Sequence, residues 1–218
     1  VLGDDGVIDW VVADSDPTDI DLIESLSTTA FGGADTITSN GGDDIVIGGR
    51  DGDTITAGDG RNLVIGDSGR ITAAVLSAPR FGSQPITLDK VETIEHGHGG
   101  ADTITTGSGE DIVIGGFAAD TITLGAGNDL AIGDNGSIVG ITALSPLNAT
   151  ILQTTDLLNG TGGNDVIRGE AGDDVIVGGV GNDALDGGSE QDLVFGDQVV
   201  LSGRGAVITS PRYQALDG

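Results

Sequence analysis

The sequence contains no cysteine and no methionine, a single tryptophan and only five prolines in 218 residues. Without thiols there is neither a disulfide framework nor a thiolate metal site. Basic residues are scarce too: eight Lys+Arg stand against 35 Asp+Glu, a formal net charge of −27. That balance excludes a nucleic-acid binder held by phosphate contacts. No apolar run approaches the ~18 residues of a membrane-spanning helix. Signatures of catalysis are missing as well. There is no Gly-x-Ser-x-Gly elbow, no Gly-Lys-Ser/Thr phosphate loop, and only two His, close together. The many carboxylates sit at repeating positions, whereas a glycosidase-like pair needs a cleft. The chain therefore reads as something other than an enzyme. Its 40 glycines and evenly spread Val, Ile and Leu argue against disorder and for a fold that turns often.

Repeats organise the chain. GGADTITSNGGDDIVIGG begins at Gly32, GGADTITTGSGEDIVIGG at Gly99 and GGNDVIRGEAGDDVIVGG at Gly162. A Gly-Asp marker recurs at Gly3-Asp4, Gly66-Asp67, Gly133-Asp134 and Gly196-Asp197, spaced by 63, 67 and 63 residues. This divides the chain into units 1–65 (block about 30–65), 66–132 (block about 97–132), 133–195 (block about 160–195) and a partial fourth, 196–218. Opening inside a motif, the sequence is expected to be an excerpt of a longer array.

A period of nine runs inside each block: Asp35, Asp44, Asp53, Asn62; then Asp102, Asp111, Asp120, Asp129; then Asp165, Asp174, Asp183, Asp192. Each position follows a glycine-rich turn and precedes a short strand pattern. Such short strands cannot bury their apolar residues alone and must stack. The fold class expected is all-β, a parallel β-solenoid with strand-containing insertions of about 30 residues between blocks.

The segment Gly48-Gly49-Arg50-Asp51-Gly52-Asp53-Thr54-Ile55-Thr56 resembles the RTX (haemolysin-type) calcium-binding nonapeptide, G-G-x-G-x-D-x-U-x, except at Asp51. Gly178-Gly179-Val180-Gly181-Asn182-Asp183-Ala184-Leu185-Asp186 matches it throughout. Departures are Asn62 in place of Asp, which predicts a weaker site, and the glycine-poor turn Phe117-Ala118-Ala119. The resemblance implies a β-roll in which residues 18 apart stack on one edge, pairing Asp35 with Asp53 and Asp44 with Asn62. It also implies Ca²⁺ as the ligand of all twelve register positions.

Elementary electrostatics agrees. Stacked strands lie roughly 4.8 Å apart, and two carboxylates at that separation repel by about 3–4 kcal/mol at an effective dielectric near 20. A calcium ion, with Ca–O distances of about 2.3–2.6 Å, spans such a gap; Mg²⁺, stricter in geometry, fits less well. Capping of turns by Asp is the structural alternative. Two same-edge pairs per block give about six ions, and the markers Asp67, Asp134 and Asp197 are either tight turns or further end-cap ligands. Glu95-His96-Gly97-His98 could coordinate a transition metal but occurs once and reads as a solvated turn.

The two strand types differ. Those after the first and third positions alternate, as in Thr36-Ile37-Thr38 and Thr121-Ile122-Thr123, while those after the second and fourth are apolar throughout, as in Ile45-Val46-Ile47 and Leu63-Val64-Ile65. Alternation predicts one wet sheet, and continuous apolar runs predict a sheet buried on both faces. Its cover would be the linkers, with strand patterns at 20–26, 88–94 and 151–158, or a neighbouring molecule.

The functional expectation is a calcium-binding structural segment of a large secreted or cell-surface bacterial protein of adhesin, S-layer or filament type. The alternatives are the calcium-binding tail of a secreted enzyme or toxin, and an ice-binding Thr-x-Thr face. Partners expected are calcium, further copies of the unit in the same chain and possible lateral self-assembly, with no nucleic acid and no membrane span. RTX proteins, as a family, are exported by bacteria and fold on meeting calcium outside.

Overall fold

A computed structural model describes residues 1–12, 16–75, 79–141, 149–156, 161–202 and 213–215. Among the described residues every regular element is a strand. No helix there is long and apolar enough to cross a membrane.

The nine-residue period builds two parallel sheets. One contains, in spatial order, β3 (Thr36–Thr38), β5 (Thr54–Gly58), β9 (Thr103–Thr106), β11 (Thr121–Ala126), β15 (Val166–Ala171) and β17 (Ala184–Asp186). The other contains β4 (Ile45–Ile47), β6 (Leu63–Ile65), β10 (Ile112–Gly116), β12 (Leu130–Asp134), β16 (Val175–Val177) and β18 (Leu193–Phe195). Within each block the chain alternates between them, so residues 18 apart come into register: Ile37 opposes Ile55 and Ile45 opposes Leu63. The stacking also runs straight across the linkers. Ile55 opposes Ile104, Ile65 opposes Ile114, and Ile122 opposes Ile167. The Thr-x-Thr strands of the first two units are thus contiguous, not separated by a linker as the sequence alone suggests.

Burial follows the patterning. In β3 and β5 the central Ile is buried between exposed Thr residues, whereas β4, β6 and β16 are buried at every position. Ile37, Ile55, Ile104, Ile122 and Ile167 meet Val46, Val64, Val113, Ala131 and Ile176 in a core between the parallel sheets. Edge strand β18 departs from the expectation, with Val194 41% exposed, because among the described residues no further strand stacks beyond it.

The linkers supply the cover. They form a separate eight-stranded sheet, in the order β1 (Gly6–Asp9), β2 (Leu22–Ser25), β7 (Gly69–Ala73), β8 (Leu88–Thr93), β13 (Gly136–Val139), β14 (Ile151–Thr154), β19 (Val199–Ser202) and β20 (Tyr213–Ala215). All its pairings are antiparallel. Its inward residues Ile23, Ile71, Val91, Ile138, Leu152 and Leu201 pack on Ile45, Ile65, Ile112 and Ile132 of the apolar sheet in a second core. Of the three strand patterns expected, 20–26 and 88–94 contain β2 and β8; the third begins as β14, and residues 157 and 158 lie outside the described residues. Strands β1, β7, β13 and β19 lie outside those three patterns. They follow the Gly-Asp markers directly, so a marker is where the chain leaves a parallel sheet for the antiparallel one, and not a hairpin turn closing a block. Most of the partial fourth unit, including 203–212 and 216–218, lies outside the described residues.

Candidate metal centre

The twelve register positions form two unbroken ladders. Oδ1 of Asp53 accepts the Asp35 N–H at 2.7 Å, Asp102 accepts Asp53 at 2.6 Å, Asp120 accepts Asp102 at 2.8 Å, Asp165 accepts Asp120 at 2.8 Å, and Asp183 accepts Asp165 at 3.0 Å. On the opposite edge Asn62 accepts Asp44 at 3.2 Å, Asp111 accepts Asn62 at 2.7 Å, Asp129 accepts Asp111 at 2.7 Å, Asp174 accepts Asp129 at 2.8 Å, and Asp192 accepts Asp174 at 3.1 Å. The expected pairs Asp35/Asp53 and Asp44/Asn62 are present, but they are two rungs of columns that also cross both linkers. More exposed side chains one position earlier add further rungs beside them. Asp43 accepts the Arg61 N–H, Asn128 accepts Asp173, Asp173 accepts Gln191 and Asn164 accepts Asn182.

At Asp53, Asp102, Asp111, Asp120, Asp129, Asp165, Asp174 and Asp183 one oxygen is used by the ladder and the other is not. Oδ2 of Asp44, Asp53, Asp102, Asp111, Asp120, Asp129, Asp165, Asp174 and Asp183 is buried with no hydrogen-bond partner. An unpaired buried charge of this kind is far more costly than an unpaired neutral group. Burial accordingly raises the carboxyls: Asp120 to about 10, Asp102 to about 9, Asp129 to about 8, Asp53 and Asp165 to about 7, and Asp174 to about 6. Neighbouring ladder carboxylates add to the rise, while the accepted backbone N–H opposes it. Asp111 is raised by burial only to about 6, held down by the accepted Asn62 N–H and by the nearby Arg61 charge.

The glycines explain how the oxygens come so close to the main chain. A Cβ on Gly115 would collide with both Asp120 Oδ2 and the Gly133 carbonyl. The space it would fill is bounded by a carboxylate oxygen and a carbonyl oxygen, with no donor between them. Hard cations such as Ca²⁺ take oxygen donors of this mixed kind. Among the described residues no three acidic or His side chains converge on one point, so a calcium donor set here needs carbonyl or water oxygens beside the carboxylates. The residues present fit calcium on this ground. The Asp positions of the two ladders would hold it, and the ion would supply the charge that the unpaired Oδ2 atoms lack.

The marker carboxylates behave differently. Asp67 Oδ1 accepts the Gly100 N–H at 2.9 Å and its Oδ2 accepts the Phe117 N–H, while Asp134 Oδ1 accepts the Gly163 N–H at 2.8 Å and its Oδ2 accepts the Val180 N–H. Asp4 accepts the Arg50 N–H at 2.6 Å. Both oxygens of Asp67 and Asp134 are thus engaged in clamping two successive turns of the next block, and Asp197 is exposed. Burial raises Asp67 and Asp134 to about 8. This clamp escaped sequence reasoning, although its recurrence at 63–67 residues was legible. His96 Nε2 lies 3.1 Å from the Thr93 carbonyl and 3.5 Å from Thr155 Oγ1, contacts that belong to a turn and not to a metal site.

The RTX calcium-binding nonapeptide repeat family matches this chain in four copies, at residues 32–55, 38–70, 96–137 and 159–194. No curated protein and no solved structure gives a significant match. The four copies together span just over half of the sequence and contain every ladder position. On the repeats and on the ladders they build, the chain belongs to the RTX calcium-binding nonapeptide repeat family.

Proposed function

We propose that this chain is a calcium-locked structural repeat segment of a large secreted or cell-surface bacterial protein, winding as a β-roll and rigidifying when it binds Ca²⁺ along both edges. The observation that carries the reading is the pair of columns of buried, donor-less Oδ2 atoms. A chain with eight basic residues has too few cations to neutralise them. Where calcium is scarce the carboxylates repel and the chain stays extended; where it is abundant the ladders close. The role is mechanical and not catalytic, because the acidic groups are arranged as repeating edges and not as a convergent site. The regular linker sheet supports an extended module with further copies of the unit, of adhesin, S-layer or filament type. Circular dichroism at pH 8 or above, with calcium and then with excess chelator, tests this. A strand spectrum that appears with calcium and is lost on chelation supports it, and one that survives chelation contradicts it.

A second reading applies to one face. Because β5 pairs directly with β9, Thr36, Thr54, Thr103 and Thr121 stack in one outward row and Thr38, Thr56, Thr105 and Thr123 in another. This contiguous array favours ice binding more than two isolated patches would. Thermal hysteresis of the calcium-loaded protein should be measurable under this reading and absent if the threonines merely suit wet strands.

A further inference from the structure

One rung of the ladders differs in chemistry from the other eleven. Asn62 is fully buried. Its Oδ1 accepts the Asp44 N–H, and its own N–H is accepted by Asp111, so the ladder passes through it unbroken. With Oδ1 so occupied, Nδ2 stands where the other rungs carry Oδ2. It donates to two carbonyls of its own turn, Gly58 O at 2.9 Å and Gly60 O at 3.0 Å.

The same turn carries a protein cation. Arg61 adjoins Asn62, and its guanidinium reaches Glu110 at 3.1 Å on the following coil. At the Asp rungs a negative oxygen is left without a donor and needs an external cation. At Asn62 an amide N–H₂ meets the carbonyls, and the charge balance is supplied by the chain itself.

We infer that the turn Gly58–Asn62 is closed by the Asn62 amide in place of a calcium ion, making it a metal-independent rung within the calcium ladder. This rests on the calcium reading of the Asp rungs and goes beyond the weaker site that loss of one charge would imply. The donors of Asn62 fill the position that an ion would otherwise fill, so the turn is set before calcium arrives. It also joins the first and second units at the point where the edge ladder crosses a linker, between Asn62 and Asp111.

Ion counting by equilibrium dialysis against Ca²⁺ tests the inference on the full chain and two variants. Asn62→Asp should hold one more calcium per chain than the parent, because an Oδ2 replaces the amide. Asn62→Ala should hold the same number as the parent, but melt in calcium lower by roughly 5 °C through the unpaired carbonyls. An unchanged count in Asn62→Asp, or one ion lost in Asn62→Ala, overturns the inference while leaving the calcium reading intact. A parent chain that binds no calcium overturns both.

Discussion

The antiparallel sheet and the two parallel sheets bury similar residues, yet they balance charge in different ways. In the antiparallel sheet the acids come with partners: Arg70 pairs with Glu24 and, at 3.8 Å, with Glu92, which also meets Lys90 at 2.5 Å. These pairs are partly exposed and each worth at most about 1 kcal/mol, and none of the described carboxylate oxygens of these strands is buried without a partner. Along the parallel sheets the acids stack on one another, and nine of their oxygens are buried without a donor. One region buries no unpartnered carboxylate oxygen among its described strands, and the other needs cations to balance those it buries. Because the apolar sheet forms a core with the antiparallel one, stability in the self-sufficient region depends on the region that is not.

The largest expected effect breaks this comparison directly. Chelating calcium at pH 8 should abolish amide hydrogen-exchange protection in both parallel sheets, and the antiparallel sheet should lose protection in the same step because Ile71, Val91 and Ile138 lose their packing partners. Antiparallel amides that stay protected would show that the linker sheet folds alone.

Substitutions along one ladder should be graded by depth. Asp120 sits mid-column and is buried, whereas Asp35 lies at the end and is half-exposed. In saturating calcium, Asp120→Ala should cost about 3 kcal/mol or more and Asp35→Ala less than about 1 kcal/mol, as read by denaturant unfolding. Equal costs would argue against a cooperative column.

The pH response should have opposite signs with and without the ion. Burial lifts Asp102, Asp120 and Asp129 to about 9, 10 and 8 in the metal-free fold, against an ordinary 3.8. The folded state then binds more protons than the unfolded one. The stabilisation is full below about pH 4 and is lost as pH rises through the folded values toward 10. Metal-free protein should therefore show more strand at pH 5 than at pH 9, whereas calcium affinity should rise over the same range as the ion displaces those protons. Titrating circular dichroism at fixed calcium and in chelator checks both signs.

The smallest effect concerns the glycine-poor turn. Ala118 holds φ of 73°, in the left-handed region where Gly is at ease. Ala118→Gly should stabilise by roughly 0.5 kcal/mol, the relieved strain being partly offset by a freer unfolded chain. A loss of stability in calcium melts would mean the turn is not strained.

Much of this was legible in the sequence because the repeat is local. The nine-residue spacing of Asp35 through Asn62 encodes the coil, the Thr-Ile-Thr and Ile-Val-Ile strands encode which sheet is wet, and Ile20–Leu26 and Leu88–Ile94 encode linker strands. What escaped was long-range. Nothing in Asp53 or Asp102 alone reveals that a separation of 49 positions leaves the stack unbroken. The strands after each marker were hidden for a different reason. Gly69-Arg70-Ile71 and Gly136-Ser137-Ile138 begin with glycine, which reads as a turn until the antiparallel partner is known. The clamp of Asp67 and the amide closure at Asn62 likewise depend on which backbone groups lie within reach.

The most direct measurement is an anomalous-difference map from crystals grown in calcium. The account predicts two rows of peaks along the two edges, each beside the Oδ2 atoms of stacked Asp residues, with a gap at the Gly58–Asn62 turn. Ladders that are fully ordered with no calcium peak beside any Oδ2 would contradict it.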